Sequence, residues 1–142
     1  MRIPLKRLDP DLPVPGHAHP GDGGIDLHAA EDALIGPGAR AVVPTGIAVA
    51  IPEGHAGLVT PRSGMAATRG IGVLNGPGLV DAGYRGEIKV ILVNHGDTDA
   101  EISRGDRIAQ LVVIPVVTQE FEEVDELPLS RRGEGGLGST GA

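Results

Sequence analysis

The sequence predicts an all-β fold, a jelly-roll-like β-barrel with one short helix. Glycine and proline are frequent throughout, with 23 Gly and 12 Pro in 142 residues, and they interrupt any long helix. Between these breaks lie short segments rich in β-branched residues, which pack well on a pleated surface. Many short strands with regular breaks are typical of barrels and jelly rolls.

The secondary structure follows from the same breaks. The predicted strands, each bounded by Gly, Pro or Asp, cover residues 2–7, 39–44, 47–51, 57–60, 86–94 and 108–121. The helix follows Pro61, because Ser63 is a good N-cap for residues 64–68 and Gly70 a good terminator. Helix starts present backbone N–H groups that bind anions, so residues 62–63 are placed to meet one.

The chain is predicted to hold one domain and a tail. Residues 1–126 form the β-barrel domain, since single domains commonly run to about 100–150 residues. From residue 127 onward Arg, Ser, Thr and Gly leave little to bury, so residues 127–142 are predicted to be a flexible C-terminal arm. Aromatic residues are only 1% of the chain, so the core must be aliphatic, and oligomerisation would help it bury surface.

Charge and cysteine content exclude several classes of protein. The net charge of −7, with acidic residues clustered at 120–126, disfavours binding to a nucleic-acid backbone. With no cysteine, the chain has no disulfides, thiolate metal ligands or cysteine nucleophiles, which is compatible with a reducing cytosol. No apolar run is long enough for a signal peptide or a membrane span. We therefore expect a cytoplasmic protein without nucleic-acid or membrane partners.

Several segments carry residues suited to phosphate chemistry, each with a plain structural alternative. Residues 62–64, Arg-Ser-Gly, are either a phosphate cradle or a capped turn with a surface arginine. In the Gly-rich residues 75–87, Asp81 is either a general base or a turn former within a hairpin. Asp26 either organises hydrated Mg²⁺ or makes an Asx-turn.

Three further features are less specific. Gln110, inside an apolar strand, either points outward or reaches a ligand, and Arg107 beside it is expected to pair with a carboxylate. The tail at 132–141 either is inert or wraps a phosphate chain. The five histidines are scattered and are predicted to be surface residues.

In their order and spacing, five segments resemble the five motifs of the trimeric, all-β dUTPase family. They are residues 23–27, 61–64, 78–87, 105–111 and 132–141, and they extend over nearly the whole chain. The resemblance implies a homotrimer of jelly-roll subunits, with three active sites that each draw motifs from all three chains. It implies Mg²⁺-assisted hydrolysis of dUTP to dUMP and pyrophosphate, which limits uracil incorporation into DNA and supplies dUMP for dTMP synthesis.

The resemblance also implies residue roles. Asp81 would hold the water that attacks the α-phosphorus, and Tyr84 would pack beneath the deoxyribose and exclude a 2′-hydroxyl. Asn75 and the neighbouring backbone would read uracil, and Asp26 would position the metal through its waters. The implied phosphate ligands are Arg62, Ser63, Gly64 and Gln110, with Arg132, Ser139 and Thr140 closing over the γ end.

One position departs from the family pattern. The fifth motif usually has an aromatic ring, Phe or sometimes His, that stacks on uracil, whereas this chain has Leu137. An aliphatic side chain covers the base without the stacking energy, about 1–3 kcal/mol per base in single-strand binding. The sequence therefore predicts weaker closure of the arm.

Two rival functions fit these residues less well. A dCTP deaminase shares fold and trimer, but its glutamate would fall at Ile91, which cannot transfer a proton, and its usual Trp falls at Tyr84. A non-catalytic jelly-roll trimer that binds a nucleotide or a protein should have lost Asp81 or the arm, and both are present. Hydrolysis of dUTP is the prediction that these residues favour.

Overall fold

The computed structural model describes residues 1–141 and confirms a mostly β chain with one short helix. Its elements are β1 Leu5–Arg7, β2 Ile25–His28, β3 Ala33–Ile35, β4 Arg40–Pro44, β5 Ile47–Val49, β6 His55–Thr60, α1 Ser63–Arg69, β7 Ile71–Val73, β8 Gly78–Val80, β9 Lys89–Asn94, β10 Ala100–Ile102 and β11 Arg107–Pro115. Among these residues no helix is long and apolar enough to cross a membrane.

The strands are arranged in antiparallel sheets. The largest has the order β2-β11-β6-β8, the next β4-β9-β7, and two pairs, β1-β5 and β10-β3, complete the set. Within residues 1–141 none of these sheets closes into a barrel. Both larger sheets supply residues to one hydrophobic core, so they are packed together.

The core is aliphatic, as the composition predicted. It contains Val, Ile, Leu and Ala side chains with one methionine, and its largest fully buried members include Leu27, Ile71, Leu92 and Ile108. Buried Leu27 follows Asp26 on β2, and buried Ala109 and Leu111 flank Gln110 on β11. Burial of these neighbours fixes which face of each strand the polar side chains must take.

The long final strand is shorter than predicted. We expected residues 108–121, but β11 ends at Pro115, whose partner on β6 is His55, the first residue of that strand. After one more backbone bond, from Val116 N to Gly54 O at 2.8 Å, no neighbour within residues 1–141 pairs with residues 117–121. Residues 116–121 favour strands in composition, but a strand needs a partner.

Other strand boundaries were also wrong. The strand predicted at 86–94 begins at Lys89, because Ile88 bonds through its N–H to Ile47 O and through its carbonyl to Thr45 N. The strands at 2–7 and 47–51 shorten to β1 and β5, and the strand at 57–60 lengthens to β6. Five short strands, β2, β3, β7, β8 and β10, were not predicted at all.

The helix begins differently from the prediction. Arg62, not Ser63, occupies the N-cap position, and within the described chain it makes no side-chain capping bond. Ser63 is instead the first helical residue, which leaves its hydroxyl exposed and uncommitted. The end is as predicted, because Gly70 adopts the left-handed conformation at φ 67° and donates to Ala66 O.

Candidate active site

The first candidate site, called here the polar cavity, opens where β2, β11 and the start of α1 meet. Its volume is about 360 Å³, and its walls are strongly polar. The lining residues are Ala18, His19, Asp22, Gly23, Gly24, Asp26, Arg62, Ser63, Gly64, Arg107 and Gln110. The structure thus brings together parts of the first, second and fourth sequence motifs.

Asp26 is held between two arginines in this cavity. Arg62 Nε donates to Asp26 Oδ1 at 3.0 Å, and Arg107 Nη1 donates to Asp26 Oδ2 at 3.3 Å. The Asp26 side chain is 16% exposed, so both ion pairs are partly shielded from water. The expected pairing of Arg107 with a carboxylate is confirmed, and Arg62 is also held by a bond from its Nη1 to Arg107 O at 3.4 Å.

Gln110 reaches into the cavity instead of pointing to solvent. Its Nε2 donates to Pro61 O at 3.1 Å, which joins β11 to the residue just before Arg62. Gly24 makes room for it, because a Cβ at that position would lie 2.6 Å from Gln110 Oε1. The sequence left two orientations open for Gln110, and packing against Gly24 selects the inward one.

The formal charges that line the polar cavity cancel. Asp22 and Asp26 are opposed by Arg62 and Arg107. In the described part of the chain, no three His, Cys, Asp or Glu side chains are grouped so that they could hold a metal alone. A single partly exposed carboxylate fits Mg²⁺ that keeps most of its waters and takes its other ligands from phosphates.

His28 is not the surface residue that was predicted. Its Nδ1 is buried and has no hydrogen-bond partner within residues 1–141. Burial lowers the pKa of this imidazole, the nearby Asp26 carboxylate opposes that shift, and Arg107 and Arg62 add to it. His28 therefore prefers its neutral form behind the polar cavity.

The second candidate site, called the loop cavity, lies beside β8 and the loop at residues 81–87. It brings together Asn75, Asp81 and Tyr84, three of the residues singled out from the sequence. The complete lining is Val59, Val73, Asn75, Gly78, Leu79, Val80, Asp81, Tyr84, Glu87, Ile88, Lys89, Val90 and Ile91.

The loop at 81–87 is a crossover and not the turn of a hairpin. β8 pairs with β6 in one sheet, whereas β9, which follows the loop, pairs with β4 and β7 in another. The hairpin alternative is therefore wrong for this segment. Asp81 is exposed at the end of β8, and its carbonyl accepts the Tyr84 N–H at 3.0 Å.

Tyr84 folds back along its own loop. Its Oη donates to Glu87 O at 2.8 Å. The ring passes directly over Gly86, where an added Cβ would lie 2.5 Å from the Tyr84 Oη. The glycine is needed for this close approach, and the ring is left with one face toward the loop cavity.

The two cavities are separate in one chain, since among the described residues they share no lining side chain. Val80 pairs with Gly57 near the start of β6, whereas Arg62 follows Thr60 at the end of the same strand. With roughly 3.3 Å per residue, positions 57 and 60 are about 10 Å apart along that strand. A general base acts over about 3 Å, or through one water, so one chain does not bring Asp81 to the polar cavity.

The residues of the predicted arm line neither cavity in the described chain. Arg132 bonds locally, through Nε to Gly135 O at 2.7 Å, and Leu137 is fully exposed. Ser139 and Thr140 are also exposed, and Ala142 at the end of the predicted arm lies outside the described residues.

Sequence reasoning missed several residues that line these cavities. His19 and Asp22 join the polar cavity because the loop before β2 folds over it, and Glu87 and Lys89 join the loop cavity. Glu87 lies inside the third motif, so the motif pointed to this residue. Its hydrogen-bond partner, Gly46, is 41 residues away along the chain and could not be predicted from local sequence.

Comparison with known sequences gives a family. The sequence model of the dUTPase family matches residues 11–141 of this chain. A deoxyuridine 5′-triphosphate nucleotidohydrolase of Thermobifida fusca is 58% identical over 142 residues, which cover 99% of this chain and 79% of the relative.

Solved structures agree. The dUTPase of Staphylococcus phage 80alpha, solved with dUPNHPP, superposes with a TM-score of 0.92 at 31% identity over 99% of both chains. A dUTPase of phage phi11 of S. aureus, in which a structural Mg(II) ion is coordinated, has a TM-score of 0.81 at 29% identity over 89% of this chain and 98% of its own. With its five motif segments in place on this fold, the chain belongs to the dUTPase family and is an enzyme of that family.

Proposed function

We propose that this enzyme hydrolyses dUTP to dUMP and pyrophosphate, and thereby limits uracil incorporation into DNA and supplies dUMP for dTMP synthesis. The observation that carries the proposal is that the two cavities present different chemical groups. One presents Arg62 and Gln110, donors suited to phosphates, and the other presents Asp81 beside Tyr84. Phosphoryl hydrolysis requires positioning and charge neutralisation more than covalent chemistry, and these residues supply both.

Asp81 is the proposed general base. Its carboxylate takes a proton from a water molecule while the water oxygen forms a bond to the α-phosphorus. The bond from that phosphorus to the oxygen bridging to the β-phosphorus breaks, and pyrophosphate leaves. The exposed position of Asp81 at the end of β8 leaves the carboxylate free to hold that water.

The polar cavity is the proposed phosphate site. The side chain of Gln110, the hydroxyl of Ser63, the guanidinium of Arg62 and the open backbone at Gly64 provide donors. Because the charges of the cavity cancel, a triphosphate needs a further cation, and Asp26 is placed to hold hydrated Mg²⁺. When bound, Mg²⁺ would neutralise phosphate charge and orient the phosphate chain.

The loop cavity is the proposed nucleoside site. The Tyr84 ring packs beneath the deoxyribose and leaves no room for a 2′-hydroxyl, while Asn75 and the adjacent backbone read uracil. Both side chains line this cavity with Asp81, which supports a substrate whose sugar and α-phosphate lie side by side there.

The assembly is proposed to be a homotrimer of jelly-roll-like subunits with shared active sites. Separation of the strand positions next to Asp81 and Arg62 by about 10 Å in one chain favours a site completed by a neighbouring copy. The arm at 127–142, through Arg132, Leu137, Ser139 and Thr140, is proposed to close over such a site from the 1–126 domain and to exclude water. Location in the cytoplasm remains a prediction from the sequence.

A substrate panel tests the proposed function. Pyrophosphate release is measured with dUTP, dCTP, dTTP and UTP, with and without Mg²⁺. We expect fast, Mg²⁺-dependent release from dUTP only. Release of ammonia from dCTP would support a deaminase instead, and no reaction with any of the four nucleotides would leave a nucleotide-binding protein as the better assignment.

The deaminase alternative finds no support in the loop cavity. Ile91, the position of the deaminase glutamate, lines this cavity as an aliphatic residue. Glu87, the glutamate that does line it, is bonded through Oε1 to the Gly46 N–H at 2.9 Å.

Replacement of Gly24 by Ala is expected to weaken phosphate binding. The new Cβ would lie 2.6 Å from Gln110 Oε1 and push the amide out of the polar cavity. Loss of a hydrogen bond to a charged group costs about 1.5–3 kcal/mol, so kcat/KM for dUTP should fall by roughly 10-fold to 150-fold. The control is Gly16→Ala, whose Cβ meets nothing within 4 Å and which lies outside the polar cavity. Equal kcat/KM values for the two variants would contradict the role of Gln110.

Replacement of Leu137 by Phe is expected to lower the Michaelis constant for dUTP. Leu137 is fully exposed and offers no ring, and a stacked ring adds about 1–3 kcal/mol per base in single-strand binding. Steady-state kinetics with dUTP measure the change, and Leu129→Phe, at another fully exposed leucine, is the control. If Leu137→Phe changes neither KM nor turnover, the idea that the missing ring weakens closure is wrong.

A further inference from the structure

Glu87 is a half-buried carboxylate that the proposed reaction does not use. It lies at the end of the 81–87 loop, and its Oε1 accepts the backbone N–H of Gly46 at 2.9 Å. Gly46 belongs to the tight turn between β4 and β5, so this bond joins the loop to a different part of the fold. A charged acceptor makes such a bond stronger than a neutral one.

The backbone of Gly46 is itself held in place by hydrogen bonds. Its carbonyl accepts the N–H groups of Leu8 at 2.7 Å and Asp9 at 3.0 Å, so both of its polar backbone groups are engaged. Its φ of 71° lies in the left-handed region, and a Cβ there would stand 2.7 Å from the Asp9 Cβ. Asp9 is held in turn by Arg104 at 2.7 and 2.8 Å. The loop is therefore tied to a rigid anchor.

From Glu87 the hydrogen bonds continue to Tyr84 and then to Asp81. The Tyr84 Oη donates to Glu87 O at 2.8 Å, and the Tyr84 N–H donates to Asp81 O at 3.0 Å. Glu87 thus supplies both the carboxylate that accepts from Gly46 and the carbonyl that accepts the Tyr84 hydroxyl. Each link in this path is a single hydrogen bond between named atoms.

The fold does not depend on the Glu87 side chain. The next residue, Ile88, is already joined to the same turn, since Thr45 Oγ1 donates to Ile88 O at 2.6 Å and Ile88 N donates to Ile47 O at 2.9 Å. These bonds hold the beginning of β9 whatever stands at position 87. The Glu87 carboxylate adds a second connection to the same turn, one residue closer to Tyr84 along the chain.

We propose that Glu87 is a positioning residue that fixes Tyr84 and Asp81 in the loop cavity through its bond to Gly46. The assignment of what the loop positions rests on the proposed function. The expected consequence concerns selectivity, because a Tyr84 ring that is free to move no longer excludes a 2′-hydroxyl. The ratio of kcat/KM for dUTP to kcat/KM for UTP should therefore fall, while the free energy of unfolding should change little.

The test compares Glu87→Ala with Glu87→Gln, which keeps an acceptor oxygen. The first readout is the ratio of kcat/KM for dUTP to kcat/KM for UTP, expected to fall roughly tenfold in Glu87→Ala, as for loss of one hydrogen bond, and to recover in Glu87→Gln. The second readout is acrylamide quenching of tyrosine fluorescence. Tyr84 is the only tyrosine and the chain has no tryptophan, so the signal reports this side chain alone. Quenching should increase in Glu87→Ala only.

The control is Asp97→Ala, which removes an exposed carboxylate in the turn between β9 and β10 that takes no part in the path from Gly46 to Tyr84. It should leave the substrate ratio and the quenching unchanged. If Glu87→Ala does not assemble, Glu87→Asp, which withdraws the carboxylate from Gly46, is measured in its place with the same expected results.

A wild-type substrate ratio with wild-type quenching in these variants would overturn the proposal, as would a Glu87→Gln variant as impaired as Glu87→Ala. The two proposals fail in different ways. If the wild-type enzyme does not act on dUTP, the proposed function fails, while Tyr84 quenching still decides whether Glu87 holds the loop.

Discussion

Replacement of Asp81 by Asn is expected to lower kcat for dUTP by about 10²–10⁴-fold, the range that a positioned general base contributes. The amide has nearly the same shape as the carboxylate but cannot accept the proton of the attacking water. Asp81 is exposed at the end of β8, so the change should not disturb the core or the fold. Binding of nucleotide should persist, because the donors of the polar cavity are untouched.

Two measurements separate chemistry from binding in this variant. Single-turnover hydrolysis of dUTP gives the chemical step, and titration with dUPNHPP gives the dissociation constant. Asp97→Asn, at an exposed aspartate in the turn between β9 and β10, is the control and should retain wild-type turnover. A kcat for Asp81→Asn within a factor of about three of the wild type, far below the range for a general base, would remove Asp81 from the mechanism.

Mixing two inactive variants is expected to restore activity. Asp81→Asn lacks the base in the loop cavity, and Arg62→Ala lacks the guanidinium in the polar cavity. If each site takes its loop cavity from one chain and its polar cavity from another, random assembly at equal amounts makes about a quarter of the sites intact. Dissociation and joint refolding of the two variants should therefore recover roughly a quarter of wild-type activity.

The control mixes the two folded variants without dissociation and should stay inactive. The result reports geometry and not only the importance of each residue, since both single variants are impaired in either case. Joint refolding that yields no activity, with the size of the assembly unchanged, would mean that Asp81 and Arg62 of the same chain serve one site. The separation of about 10 Å along β6 between the positions next to Asp81 and Arg62 argues against that outcome.

Much of the candidate site could be predicted residue by residue. The segments around Asp26, Arg62, Asp81 and Gln110 each suggested phosphate chemistry weakly, and their order along the chain carried the family resemblance. The expected ion pair of Arg107 was also confirmed, with Asp26 as its partner at 3.3 Å. These features are local, since they depend on residue type and spacing.

Features that depend on distant partners could not be predicted. β11 ends at Pro115 because β6 has no residue left to pair with, although the following residues favour a strand. The 81–87 loop was open to a hairpin interpretation, yet β8 and β9 join different sheets. His28 was placed at the surface, but its Nδ1 is buried, because β2 lies against β11 at the edge of the core.

The sequence by itself determined the class of fold, the aliphatic core and the identity of the chemical groups, because glycine, proline and β-branched residues act over a few positions. The tertiary structure decided which groups meet. It turned Gln110 inward beside Gly24, separated the polar cavity from the loop cavity, and brought Glu87 to Gly46 across 41 residues. Strand pairing and side-chain packing join residues remote in sequence, and local patterns do not encode those partners.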